Sequence, residues 1–320
     1  MERVAAMPMP RNPLSRLPWQ PPPELSARID DLAQAYRAQV RDTLAPLVAT
    51  WYPALAASGA EYAKMLELST KMTLVGRACT EVAGEVFDGR RRRIAILFGC
   101  CCFLADSFLD DFGAEASRLY LQRFSLLLST GWFEVTNERE RLFYVVLARL
   151  FAERDVLDPL LRQAILRLHA AQDRDVALRL DAHRLAGLPL PRQRSILKHS
   201  ARDRSGHAII VLSCLLVPSL SLDLLTLIFA AGALIMFIDD HGDCFADRRD
   251  GRVTYMNHVR QPERVLQRIT LGYLTRLVAG LPANAGRDLL LGFLTRYYLT
   301  RLQKHRAQAR HGGTAWDVFE

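Results

Sequence analysis

The sequence lacks any Cys-x-x-Cys pair or Cys/His ligand spacing, which argues against a structural zinc site. Three of its six cysteines, Cys100, Cys101 and Cys102, are consecutive within an apolar stretch. Helical neighbours point about 100° apart and do not readily pair, so a reducing, cytoplasmic setting is expected. A glycine-rich phosphate loop, an internal repeat and the alternating pattern of strands are also absent. Basic residues cluster at Arg90 to Arg93 and from Lys304 to Arg310, but neither run is interleaved with aromatics that would stack on bases. Nucleic acid is therefore not an expected partner. Residues 1–23 lack the continuous apolar core of a signal peptide; they are proline-rich and interrupted by Arg3, Arg11 and Arg16, and read as a disordered or wrapping arm.

What is present is a great deal of apolar surface. With 320 residues and 50% hydrophobic content the chain can bury a large core, and one helical domain over 24–310 is expected, followed by a short tail over 311–320. The net charge of +8 suits a polyanionic substrate or an anionic surface. The long run from Ala208 to Ile238 exceeds the length of a membrane span, but Pro218, Ser219, Ser221 and Asp223 interrupt it. Two helices joined by a Pro-Ser turn account for it better, and the mean hydropathy of +0.03 is too low for a polytopic membrane protein. No transmembrane helix is expected; a peripheral membrane contact and a homodimer stay open.

Helical periodicity predicts about ten helices and an all-α fold, a single large bundle. The expected segments are Leu25 to Leu44, ended by Pro46; Glu61 to Phe87; Arg91 to Asp111; Ala114 to Leu128; and Glu138 to Phe151, capped by Thr136 or Asn137. Asp158-Pro159 opens the next, running to about Ala186 before Pro189 and Pro191. Gln193 to Val217, Leu222 to Asp250, Gln261 to Gly280 and Ala283 to Ala309 complete the set.

Two acidic clusters each close an apolar helix. Asp239, Asp243, Asp247 and Asp250 follow the long apolar run, with Asp240 beside the first. Offsets of four, eight and eleven on an ideal helix place the last three within roughly 80° of Asp239, so the four are expected to share one face. Such a ladder repels itself unless cations neutralise it. Arg248, Arg249 and Arg252 are near enough to do so as surface ion pairs; Arg248 and Arg252 are equally placed to meet a diphosphate. The second cluster is Asp106-Ser-Phe-Leu-Asp110-Asp111, with Asp106 and Asp110 again one helical turn apart. Mg²⁺ prefers carboxylate oxygen, keeps waters and is completed by substrate phosphates, so spaced single carboxylates suit it better than zinc or calcium. Arg204-Ser205-Gly206 lies at the expected start of an apolar helix, where a guanidinium fork and helix-terminal N–H groups favour phosphate. Phe98, Phe103, Phe229, Phe237, Tyr297 and Tyr298 are candidate walls for an apolar cavity.

The first cluster resembles the Asp-x-x-x-Asp motif of squalene/phytoene synthases and related class I isoprenoid synthases. Phe237-Ile-Asp239-Asp240-His-Gly-Asp243-Cys-Phe-Ala-Asp247 is similar to the second metal motif of trans-prenyl diphosphate synthases and terpene cyclases. Its continuation through Asp250-Gly251 to Met256-Asn257 is most similar to the tetraprenyl-β-curcumene synthase type of large terpene synthase. The resemblance implies an isoprenoid synthase fold with a central apolar cavity. It further implies Mg²⁺, as three ions with bound diphosphate or with Mn²⁺ in its place, held by Asp106, Asp110, Asp111, Asp239, Asp240, Asp243 and Asp247. Arg204 and Ser205 match the register of the Lys-Thr-Gly phosphate contact in prenyl synthases. The activity implied is ionisation of a prenyl diphosphate followed by cyclisation, since the first motif lacks the Asp-Asp-x-x-Asp form and Arg pair of chain-elongating enzymes. Condensation in the squalene or phytoene synthase manner is the alternative, and a non-enzymatic helical protein peripheral to a membrane is the rival from another class.

Overall fold

The structure is a computed structural model that describes residues 19–111, 113–153 and 158–310, the side chains of 107–111 and 114 excepted. Its elements are α1 (Leu25–Trp51), α2 (Pro53–Ala57), α3 (Gly59–Val82), α4 (Gly89–Asp111), α5 (Gly113–Thr130), α6 (Glu138–Ala152) and α7 (Pro159–Leu180). There follow α8 (Ala182–Ala186), α9 (Leu190–Leu216), α10 (Leu222–Gly242), α11 (Cys244–Arg249), α12 (Pro262–Gly280) and α13 (Ala285–Arg310), with a 3₁₀ turn at Met256–His258. The all-α expectation is met, with no strand among the described residues.

Local chemistry explains most of the boundaries. Asn137 caps α6 by accepting from the Glu140 N–H, while the Glu140 carboxylate accepts from the Thr136 N–H at 2.8 Å, so two donors at the helix start are satisfied reciprocally. Asp158 accepts from the Leu161 N–H and Pro159 takes the first helical position of α7. Ser221 caps α10 through the Leu224 N–H, and the break at 217–221 divides the long apolar run as expected.

Two prolines act differently from expectation. Pro46 does not end α1, which continues to Trp51: Leu44, Leu47 and Val48 are buried on its inner face, and that packing carries the helix through. Pro191 lies in the first turn of α9, where a missing N–H is harmless, so it opens this helix instead of closing the one before. As a result α9 is 27 residues long, and Arg204 to Gly206 sit in its middle, not at its start. The N-terminal arm also joins the body earlier than expected, since Trp19 is buried and its indole donates to Asp288 Oδ1 at 3.0 Å.

The basic run Arg90 to Arg93 serves the fold. Arg91 Nε donates to the Leu216 carbonyl at 2.9 Å, Arg93 Nε to Glu153 Oε1 at 2.9 Å, and Arg90 Nε to the Glu153 carbonyl at 2.6 Å. These bonds cap the ends of α9 and α6 with guanidinium groups from the start of α4.

Among the described residues α10 alone is long and apolar enough to cross a membrane. Here it packs against α9, α12 and α13, with Ile228, Leu234, Phe237 and Ile238 fully buried. The approach of α9 to α10 is close because glycines meet there: a Cβ added at Gly232 would stand 2.6 Å from the Ser205 carbonyl oxygen and 3.0 Å from Gly206 Cα. This contact sets the height of Arg204 and Ser205 against the acidic end of α10. Gly232→Ala is expected to force the helices apart and cost about 1–3 kcal/mol, read as a lower midpoint in urea with an unchanged slope.

Candidate active site

Asp106 of α4 and Asp239 of α10 border the same hollow. A cavity of about 1420 Å³ is lined by side chains from α1, α3, α4, α5, α6, α7, α9, α10 and α13, and Asp106, Asp239 and Asp243 all border it. Its charged lining comes from α1, the first half of α3, the middle of α9, the loop after α11 and the C-terminal parts of α4, α10 and α13. Its aromatic lining comes chiefly from α5 and α6, with Tyr120, Phe124, Phe143, Tyr144 and Phe151. The α5 and α6 side of the cavity is therefore apolar and rich in rings, and the charged side chains stand on the other elements.

The last helix supplies the counter-charge. Spacings of four and three place Tyr297, Arg301 and Lys304 on one face of α13, turned toward α10. Arg301 bridges the two carboxylates: Nη2 donates to Asp239, and Nη1 donates to Asp243 Oδ1 at 3.3 Å. Lys304 Nζ donates to the same Asp243 oxygen, and the Tyr297 hydroxyl donates to Asp239 Oδ1. Arg301 Nε in turn donates to the Tyr297 oxygen at 3.2 Å. Burial works against the Arg301 charge, but Asp239, Tyr297 and Asp243 outweigh it and raise the pKa, so the guanidinium is permanently charged. Burial and the neighbouring Asp239 push the Tyr297 phenol up, so it stays a donor at neutral pH. Gly242 makes this docking possible, since a Cβ there would meet Arg301 Cδ at 2.6 Å.

On α9, packed beside α10, Arg204 is held by a residue that sequence reasoning missed. Its Nε lies 3.4 Å from Oδ1 of Asp175, a buried carboxylate on α7. Asp175 also accepts from Ser200 Oγ at 2.8 Å and from Arg179 Nε at 3.0 Å. Burial opposes the Asp175 charge, yet Arg204, Arg179 and Ser200 hold its pKa below the ordinary carboxylate range. Arg204 is thereby aimed, with Ser205, into the cavity wall. The N–H groups of a helix start do not reinforce it, because both residues lie mid-helix.

The expected ladder of four aspartates is divided. α10 stops at Gly242, Asp243 adopts φ −104° and ψ 3°, and α11 restarts at Cys244, so the shared face ends after two residues. Asp247 is buried and does not border the cavity, and exposed Asp250 lies 3.5 Å from Arg249. Asp240 points the other way from Asp239: it is buried outside the cavity lining, and its Oδ2 has no hydrogen-bond partner. Burial, with Asp247, Asp239 and Asp175 nearby and only Arg204 opposing them, pushes its carboxyl up to about 8. Arg248 also turns away, donating to the Asn257 carbonyl at 3.0 Å, whereas Arg252 borders the cavity. The side chains of Asp110 and Asp111 lie outside the described residues. Of the expected wall residues, Phe98, Phe103 and Tyr297 line the cavity. Phe229, Phe237 and Tyr298 do not; Phe229 packs on His207 at 5.0 Å and Phe237 on Tyr255 at 5.8 Å.

Asp106, Asp239 and Asp243 offer only carboxylate oxygen, a donor set that fits Mg²⁺ or Mn²⁺. Among the described residues no group of three or more His, Cys, Asp and Glu stands together as a ready-made metal cage. Arg301 and Lys304 instead hold the place between Asp239 and Asp243. Compared with family models, curated proteins and solved structures, the chain matches none of them.

The Asp240 carboxyl supplies a stability test. Its folded pKa lies above the ordinary 3.8, so the folded chain keeps a proton that the unfolded chain releases. Its contribution is fully present below about 4 and is lost as pH climbs through about 8. Asp240→Asn is expected to remove this slope, gaining stability on the parent as pH climbs through that window in urea titrations.

Proposed function

We propose that the chain is a Mg²⁺-dependent class I terpene synthase, with an isoprenoid synthase fold, that ionises a prenyl diphosphate and guides the carbocation through cyclisation or rearrangement. The observation that carries this reading is that Asp106, near the end of α4, and Asp239 and Asp243, at the end of α10, border one cavity whose lining from α5 and α6 is apolar and aromatic. Asp106, Asp239 and Asp243 would hold the metal. Bound there, Mg²⁺ supplies Lewis-acid charge that stabilises diphosphate as a leaving group.

The rest is done by the protein's own side chains. Arg204, fixed by Asp175, and Ser205 face the diphosphate from α9, and Arg252 faces it from the loop after α11. Arg301 and Lys304 face it from α13, so charge leaving with the diphosphate meets donors already in place. The aromatic walls of α5 and α6 keep water from the cation, and their π faces tolerate positive charge. Asp240 and Asp247 are structural in this account, as is Arg248. The cytoplasm is the proposed compartment.

Purified protein is expected to release diphosphate from prenyl diphosphates with Mg²⁺ and to stop when the metal is chelated. Asp239→Ala and Asp106→Ala should each lower kcat by about a hundredfold or more, while Asp240→Asn keeps most of it. Absence of turnover at every chain length, from protein shown to be folded, would contradict the assignment. The cavity also exceeds the roughly 300–1,000 Å³ usual for small-molecule sites, which favours a long chain. We expect kcat/KM to rise from geranyl through farnesyl to geranylgeranyl and longer diphosphates; a maximum at geranyl would show that the hollow is not the hydrocarbon site.

A further inference from the structure

A second, smaller recess lies on the opposite flank of α10. α9 and α12 both pack on α10, and between them is a groove of about 590 Å³. Its lining is Lys198 from α9; Val265, Arg268, Ile269, Gly272, Tyr273 and Arg276 from α12; and Tyr255 from the preceding loop. Three cations and two phenols converge there, and no carboxylate is part of the lining.

The charge of the groove is unbalanced. Arg174, Arg179, Arg202, Arg249, Arg301 and Arg306 each have a carboxylate within salt-bridge distance. Among the described residues Lys198, Arg268 and Arg276 make no ion pair with any carboxylate. Like charges held together are mutually repulsive and are relieved by a bound anion. The aromatic floor is rigid: Phe237, fully buried in α10, packs edge-on against Tyr255 at 5.8 Å and Tyr273 at 6.1 Å.

Gly272 gives the groove its room. It sits mid-helix, four residues from both Arg268 and Arg276, where alanine is the better helix former. A Cβ added there would meet nothing within 4 Å, so no packing constraint requires glycine. An open glycine midway between two arginines two turns apart lets an anion approach the helix surface.

We propose that the α9/α12 groove is a second anion site that takes a phosphoryl group, with Lys198, Arg268 and Arg276 as charged donors and the Tyr255 and Tyr273 hydroxyls beside them. The group arrives either as a free phosphate or diphosphate ion or as the headgroup of an anionic lipid. The site does not depend on the activity proposed for the larger cavity. It does touch the same loop, because Arg252 borders that cavity and Tyr255 borders the groove, with Asn257 Nδ2 donating to the Arg252 carbonyl at 2.7 Å.

The test uses the full chain in two arms: calorimetric titration with inorganic phosphate and diphosphate, and co-sedimentation with phosphatidylglycerol/phosphatidylcholine vesicles against phosphatidylcholine alone. Lys198→Ala/Arg268→Ala/Arg276→Ala and, separately, Gly272→Glu are expected to weaken binding at least tenfold in one or both arms. Gly272→Glu enters open space and serves if the triple variant folds poorly. Arg141→Ala/Arg162→Ala/Arg167→Ala has the same net charge as the triple variant and should bind like the parent. Loss in the first arm identifies a free ion as the source, and loss in the second a lipid headgroup. Groove variants that bind both probes as the parent does, or a control that loses as much as they do, would overturn the proposal.

Discussion

Two carboxylates one turn apart at the end of an apolar helix must be neutralised, and the way this is done governs the arrangement around them. Asp239 and Asp243 have water on one side and the buried body of α10 on the other. Their charge is met by Arg301 and Lys304 with Tyr297, which ties the last helix to α10 at the rim of the large cavity. The contact is close because Gly242 admits the Arg301 stem, and the same glycine is where α10 stops and the chain turns into α11. One local compromise thus fixes the end of a helix, the docking of another and the lip of a hollow. On the proposed reading, divalent metal and diphosphate take over this balance, the metal meeting the carboxylates and the diphosphate meeting the cations.

The α9 side of the same cavity obeys the same rule with the signs exchanged. Arg204 lies beside apolar α10, and Asp175 holds it, itself fastened by Ser200 and Arg179. Because Gly206 and Gly232 bring α9 and α10 into close contact, Arg204 shares a wall with Met236, whose sulfur is 3.8 Å from its Nη2. Asp240 shows what happens when the rule is not fully met. It is buried without a hydrogen-bond partner for Oδ2, and its carboxyl holds its proton toward about 8.

The helical class and most segment positions were legible in the sequence because apolar periodicity is a local signal, and acidic helix ends marked Asp106, Asp239 and Asp243, which all border the large cavity. The less legible features depend on long-range packing. Ideal helical geometry puts Asp243, Asp247 and Asp250 on one face, but the Gly242 contact with α13 interrupts that geometry. A helix that includes Pro46 and another that begins before Pro191 follow from which faces are buried, information a propensity scale does not hold. Arg301 was readable only as a member of an amphipathic helix, although its spacing from Tyr297 and Lys304 already placed all three on one face. Asp175 carried no signal at all, since its partner lies 29 residues away on another helix.

The most direct test of the central claim is a crystal structure of the chain with Mn²⁺ and a non-hydrolysable prenyl diphosphate analogue, with the metal located by anomalous scattering. The account predicts anomalous peaks between Asp106 on one side and Asp239 and Asp243 on the other, with Arg301 and Lys304 moved onto the diphosphate. A cavity without metal, its two aspartates still paired to Arg301 and Lys304 while the analogue is bound elsewhere, would contradict it.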